Sequence, residues 1–427
     1  MAKTTAGGAS RRRVLRLAGG GLALAALGAG AAGCREDDAD RPAAGGDKPA
    51  GSKDPSAGGD GEDGKAPKAL WSQSVPAETY GDNDELVAVA GMVIASGSPL
   101  SARDAATGKE RWSLPDGVAP GAPLLLGDGT LYLASGKYDG TVSGYDPASG
   151  KETWQGRLGK EYRQPRPIAV DARQVYVVAE ILEKDNSSHT NLIAALDAGS
   201  GKIVWSEQRD LGTEQNGIHA AVQGRHLVYT DFKKNLTVRD TSTGRQVWTQ
   251  KTEKTNYGFF TVHEELVIVP QGDRLHAYAL ADGARKWTVK AGHLTTFKEP
   301  AVVDGVLHIA DTARTVRALD PATGKELWQS KALAEAGFQV PRQYVKAGTL
   351  LCVATDLDKD GGVAALDAAT GELRWTFNDG TGDHHSWLVA TDGKRVFALH
   401  GKKLHALDRA PVDLGAQRTQ NLNLHVP

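Results

Sequence analysis

The stretch LDPATGKELW, residues 319–328, reads as the end of one strand, a tight turn and a second strand closing on a tryptophan. Six near copies accompany it: RDAATGKERW at 103–112, YDPASGKETW at 145–154, LDAGSGKIVW at 196–205, RDTSTGRQVW at 239–248, YALADGARKW at 278–287 and LDAATGELRW at 366–375. Aligned on the glycine four residues before tryptophan, six of the seven carry an aspartate four residues earlier: Asp104, Asp146, Asp197, Asp240, Asp320 and Asp367. Ala279 replaces it in the fifth copy. Aspartate and the Thr or Ser before glycine suit bonds to the turn's own backbone, and glycine accepts positive φ. Two residues before the aspartate the side chain is small (Ala102, Gly144, Ala195, Ala277, Ala318, Ala365), except for Val238. A tryptophan ring buries a large area and needs a flat neighbour, which the small column is expected to provide.

Successive tryptophans lie 39 to 51 residues apart, with two further β-rich runs in each interval. Four short strands per repeat of this length describe propeller blades, and no 3.6-residue period supports helical repeats. After Trp375 come three strand-like runs ending at Asp408, a blade without its tryptophan strand; before the first full copy stands Trp71, a tryptophan strand without a blade. The expected fold is all-β, an eight-bladed propeller of four-stranded blades closed by the Trp71 strand. A seven-bladed ring with a loose end is the alternative. Closure removes exposed sheet edges.

The flanks differ in composition. Residues 1–33 contain Arg11-Arg12-Arg13, an Ala/Gly/Leu-rich run and a small-residue end, the pattern of a signal peptide. A transmembrane anchor is the weaker reading, because the run is short, Gly-rich and interrupted by Arg16. The Arg11-Arg12 pair resembles a twin-arginine export signal, and Ala31-Ala32-Gly33-Cys34 resembles a bacterial lipobox in which Cys34 is acylated. Two or three acyl chains hold a protein on a bilayer, at about 0.8 kcal/mol per buried CH₂. Residues 34–68 then form the lipidated cysteine and a disordered tether, 69–412 the propeller and 413–427 a tail. The whole chain has a formal charge of −2, and the five basic residues of 1–33 leave the remainder more acidic, which excludes a basic nucleic-acid binder. Cys352 is the one other cysteine and sits in an apolar run, so a buried structural thiol is expected.

The motif A-x-D-x-x-T-G-x-x-x-W resembles the tryptophan-docking repeat of the PQQ-like β-propeller superfamily, over about Leu70 to Asp408. That superfamily includes quinoprotein alcohol and glucose dehydrogenases, the propeller lipoprotein of the outer-membrane barrel-assembly machinery and sensor modules of actinobacterial kinases. Fold alone does not choose among them. The resemblance implies an adjacent cysteine pair over the quinone in the dehydrogenases; no two cysteines are adjacent here. PQQ is therefore not expected as a cofactor, and no phosphate-binding loop or G-x-S-x-G elbow appears. A twin-arginine lipoprotein of this Ala/Gly/Arg-rich composition resembles Gram-positive actinobacterial proteins, which speaks against an outer-membrane role.

Two sites are weighed. Asp356, Asp358, Asp360 and Gly361 match the first half of a calcium loop, but the twelfth position is Asp367, already in the turn column. The preferred reading is a polar hairpin, with calcium as the alternative. The loops that follow each tryptophan strand lead into the inner strands and are richer in aromatic and charged residues than the motif. Tyr162, Arg163, His219, Tyr257, Phe297, Lys298, Arg342 and His385 are the candidates for a polar, aromatic central funnel. Asp82, Asp84 and Glu161 lie in the same class of loop and offset part of its positive charge. His384-His385 read as a loop pair rather than metal ligands. The expected protein is a non-catalytic binding, scaffold or sensor module, lipid-anchored on the extracytoplasmic face of the bacterial cell membrane. Its partner would be an extracytoplasmic protein or a small anionic ligand. The alternative is a quinoprotein-type oxidoreductase or another enzyme with its site in the funnel.

Overall fold

The computed structural model describes residues 66–76, 85–97, 99–114, 123–135, 139–181, 191–209, 218–230, 235–252, 259–355 and 361–409. Among them, thirty-two strands form eight four-stranded sheets. Blades 1 to 7 span residues 86–114, 125–157, 162–209, 220–251, 261–290, 301–330 and 341–377. Each runs from inner to outer strand in chain order with antiparallel pairing. Blade 8 takes its inner three strands from Trp387–Thr391, Arg395–His400 and Lys403–Asp408. Its outer strand is Ala69–Ser74 from the N-terminal side, paired antiparallel with Lys403–Asp408.

The core lies between blades. Eight buried apolar clusters each straddle one pair of neighbours, and one joins Leu86, Val93 and Ala95 of blade 1 to Leu388, Phe397 and Leu399 of blade 8. Eight blades with eight shared interfaces make a closed ring. Cys352 is fully buried between blades 7 and 8, and burial pushes its thiol up to about 12. It is a packing residue, as its apolar run indicates.

The turn motif works through short-range bonds. In blade 1 the Asp104 Oδ1 accepts from the backbone N–H of Ala106 (3.1 Å) and Thr107 (2.9 Å) and from the Thr107 hydroxyl (2.9 Å). The Gly108 N–H donates to the Asp104 carbonyl at 2.8 Å. The same set recurs around Asp240. The tryptophan then reaches the next blade. Seven indole N–H groups donate to the next blade's turn carbonyls: Trp71 to Ala105, Trp112 to Pro147, Trp154 to Asp197, Trp205 to Thr241, Trp248 to Leu280, Trp287 to Pro321 and Trp328 to Ala368. Trp375 is the exception. Its indole nitrogen has no acceptor among the described residues, and the ring is wholly buried. In the sequence, Val412 stands four residues after Asp408, where the other copies have the glycine on which a ring docks.

The small-residue column lies beside a tryptophan, as the sequence suggests, and the tryptophan is that of its own blade. Ala102, Ala195, Ala318 and Ala365 lie directly across the sheet from the tryptophan of their own blade. The flat surface for the neighbour's ring is the motif glycine. A Cβ built on Gly108, Gly150, Gly244 or Gly371 would sit 2.5–2.8 Å from atoms of the preceding blade's indole.

Candidate functional site

Antiparallel strands place the loops entering the inner strands, and the hairpins joining second to third strands, at one end of each blade. The glycine turns lie at the other. The motif residues are therefore occupied with turn and docking at one end, and the sequence candidates belong to the loops at the other.

The sequence candidates distribute over separate blade junctions. Tyr162 begins the inner strand of blade 3 and packs against the core shared with blade 2. The Arg163 backbone pairs with Glu180. The His219 ring lies 4.4 Å from that of Phe259, joining blades 4 and 5. Tyr257 lies outside the described residues, as do Asp82, Asp84, Asp356, Asp358, Asp360 and residues 1–65 with Cys34. Phe297 is only 6% exposed and belongs to the core between blades 5 and 6, beneath the Arg317 guanidinium at 5.8 Å; it is a packing residue and does not line a funnel. Lys298 is exposed. Arg342 places its Nε 3.7 Å from the Glu299 carboxylate, so its charge is met within the protein. Asp367 is occupied as a turn cap and pairs with Arg374 at 2.9 Å.

His385 leads to a group the sequence reading missed. Its ring lies edge-on to His400 at 6.0 Å, and His400 stacks on Trp387 at 4.2 Å and 8°. His400 Nδ1 is 3.1 Å from Asp379 Oδ2, and His405 Nε2 is 3.7 Å from the same oxygen. Asp379 Oδ1 accepts from the backbone N–H and the hydroxyl of Thr381 at 3.1 and 2.9 Å. Burial of Asp379 would by itself raise its pKa. The contacts with His400, His405 and Thr381 outweigh that and hold the carboxyl far below the usual range. On its other side His405 Nδ1 meets Ser72 Oγ at 2.8 Å, across the strand pair that completes blade 8. Serine, histidine and aspartate thus follow one another, but 3.7 Å is not a hydrogen bond and Ser72 sits on an open outer strand, so no continuous proton relay reaches the hydroxyl. The arrangement clamps the loop before blade 8 onto that blade. A carboxylate in the loop 378–386 and two histidines in apolar runs of one blade were the available signal. Among the described residues no group of three or more His, Cys, Asp or Glu is placed to hold a metal ion.

A closed ring of eight four-stranded blades, docked through tryptophans onto glycine turns, defines a PQQ-like β-propeller. The family model described as outer membrane protein assembly factor BamB matches residues 60–182, 96–217, 189–340 and 359–413, and the chain belongs to that family. A curated relative, outer membrane protein assembly factor BamB of Xanthomonas campestris pv. campestris, is 26% identical over 200 residues, 46% of this chain. The match spans 47% of that protein, about half its length. Solved structures of the same fold include BamB from Moraxella catarrhalis (TM-score 0.53, 16% identity, 80% of this chain and 100% of that one). The computationally designed Ika8 protein aligns with a TM-score of 0.57 at 15% identity, over 79% of this chain and 100% of its own. The quinohemoprotein alcohol dehydrogenase of Comamonas testosteroni aligns with a TM-score of 0.52 at 13% identity, over 81% of this chain and 76% of its own. At these identities the structures speak to fold alone.

Proposed function

We propose that this chain is an exported β-propeller, anchored to the extracytoplasmic face of the cell membrane through Cys34, that binds another protein and turns nothing over. One observation supports the reading: the recurring polar residues of the motif are occupied by turns and docking, which leaves the variable loops at the other end of the blades to meet a partner. The family match supports a protein-binding or scaffold role. The relative's own role in outer membrane assembly is not transferred, because the Arg11-Arg12 signal and the composition resemble those of cells with a single membrane. A small anionic ligand is the alternative partner; of the cations first considered for it, Arg342 already faces Glu299.

Two measurements test this. Cys34→Ser should abolish fatty-acid labelling and leave precursor or released protein; equal labelling of the variant removes the anchor from the proposal. Purified protein given PQQ, calcium and an alcohol or sugar should leave an artificial electron acceptor oxidised. Turnover would put an enzyme in place of the binding module.

A further inference from the structure

Blades 5 and 8 place a histidine at the same point of the repeat. His276 stands three residues before Ala279, and His405 three before Asp408, the positions of the turn aspartate. Each ring meets, through Nδ1, the hydroxyl that follows a docking tryptophan: His405 meets Ser72 Oγ and His276 meets Thr288 Oγ1, both at 2.8 Å. In blade 8 the protein supplies an anion to this pair, because Asp379 Oδ2 lies 3.7 Å from His405 Nε2. Asp379 stands four residues after Trp375 of the preceding blade. Four residues after Trp248, the corresponding ring before blade 5, stands Thr252, so that position brings no carboxylate to His276.

Cations gather there instead. Arg274, His276 and Tyr278 alternate along one strand and share one face of the sheet, and their partners on the outer strand are Lys290, Thr288 and Arg285. Toward the axis, Val267, Val269 and Tyr278 pack into the core shared with blade 4. Further out, Arg274, Arg285, Thr288 and Lys290 are exposed, with His276 buried beneath Thr288. Like charges directly opposite each other destabilise a sheet, yet Arg274 faces Lys290. At that register four other blades pair Thr141 with Arg157, Leu192 with Gln208, Asn235 with Lys251 and Lys403 with Ser74. Lysines on an outer strand guard its edge, which accounts for Lys286 and Lys290. That reason does not reach Arg274, which lies one strand further in.

Little within the protein offsets this charge. Of the acids on the adjoining hairpins, Asp273 Oδ1 comes only within 4.0 Å of Arg274 Nε, and Asp282 accepts from the Ala284 N–H at 2.9 Å. Arg285, Lys286 and Lys290 form no ion pair among the described residues. Blade 4 faces this side with Trp248 and Gln250, both uncharged, whose indole and amide donate to the Leu280 and Gly283 carbonyls. Burial, then the charges of Arg285 and Arg274, hold His276 below its ordinary pKa, so the ring is neutral at pH 7.

We infer that this face of blade 5 binds a phosphate group, held by Arg274, Lys290 and the Thr288 hydroxyl with Arg285 alongside. Several cations and a hydroxyl on separate side chains suit the oxygens of a tetrahedral anion, whereas one guanidinium suffices for a carboxylate. The group is either free orthophosphate or a phosphate ester of a larger molecule. A bound anion offsets the guanidinium charges and lets His276 take a proton. Its Nδ1–H then donates to Thr288 Oγ1, which frees the Thr288 O–H for the anion. The site is separate from the loop candidates and does not depend on the protein-binding reading.

Calorimetric titration of the detergent-solubilised full-length chain with inorganic phosphate and with sulfate, at low ionic strength, tests this. Both ions should bind. Arg274→Gln and Lys290→Gln should each weaken binding at least fivefold, and Thr288→Val several-fold. Lys109→Gln, an equal loss of charge on blade 1, should leave it unchanged. Sulfate keeps its charge where histidine titrates, so its affinity should rise as pH falls below about 6.5. The His276 ring resonance, assigned with His276→Gln, should titrate at higher pH with sulfate than without. No binding of either ion at millimolar concentration overturns the inference, as does affinity kept within twofold in both Arg274→Gln and Lys290→Gln. Equal weakening in Lys109→Gln, or a His276 titration indifferent to sulfate, overturns it too. Glycerol 2-phosphate separates the two sources: affinity equal to that of orthophosphate supports an esterified ligand, and tenfold weaker affinity supports the free ion.

Discussion

Gly244 carries two constraints at one Cα. Its φ is 73°, and a Cβ there would lie 2.5 Å from the Trp205 ring of blade 3. Gly91 shares the first constraint with φ of 75° but faces open space. Alanine at Gly91 should therefore cost about 1–2 kcal/mol for the left-handed backbone alone. Alanine at Gly244 should cost a further 1–3, roughly, because the ring must be displaced from a packed interface. Denaturant melts of the two variants check this, and equal losses would mean the ring approach carries no energy. Asp379 offers a pH test at the same scale. Its folded carboxyl titrates far below the usual value, so its contribution is complete above the unfolded pKa of about 3.9 and is lost as pH falls below that. Asp379→Asn should lower the melting temperature at neutral pH and flatten its decline in acid; parallel acid profiles for the two proteins would remove Asp379 from the account.

Turns are the next scale. Asp104 and Asp240 are each held at about 2, chiefly by the side-chain bond from Arg111 in the first case and Ser242 in the second. Both contributions are present at neutral pH and fade as pH drops below about 4. Blade 5 has the same turn without the cap: Gly283 N–H still donates to the Ala279 carbonyl at 2.9 Å, but the Ala279 side chain has no oxygen to accept from the turn. Ala279→Asp should stabilise the protein by about 0.5–1.5 kcal/mol, the usual net worth of such bonds. The gain should shrink below about pH 4, where the new carboxyl is protonated. A lowered melting temperature at pH 7 would show that the blade 5 turn is shaped against the cap. The motif was legible at this scale because its bonds span two to four residues and repeat. The role of the alanine column was not: a sequence lists Ala102 and Trp112 without saying that they face each other in one sheet.

Across the whole ring, blade 8 is assembled from both ends of the propeller. Removing residues 69–75 deletes an outer strand, the Trp71 bond to Ala105 and the Ser72 contact with His405. Losing a core tryptophan alone costs about 3–5 kcal/mol, so the deletion should lower the melting temperature by many degrees and expose the Lys403–Asp408 edge. An unchanged melting temperature would mean that the ring holds without its N-terminal strand.

By itself the sequence determined the strand-turn-strand unit, the number of blades and the positions of caps, glycines and rings, because each depends on neighbours a few residues away or on a period that can be counted. Cys352 also belongs to that class, its apolar run being enough to bury it. Only the tertiary structure decided which loop residues meet. It put Phe297 in the core, gave Arg342 a carboxylate partner, and drew Asp379, His400 and His405 into one clamp that ends on Ser72. Ser72 and His405 are 333 residues apart, and nothing local to either specifies the contact. It exists because eight blades close a ring, and closure is a property of all the interfaces together.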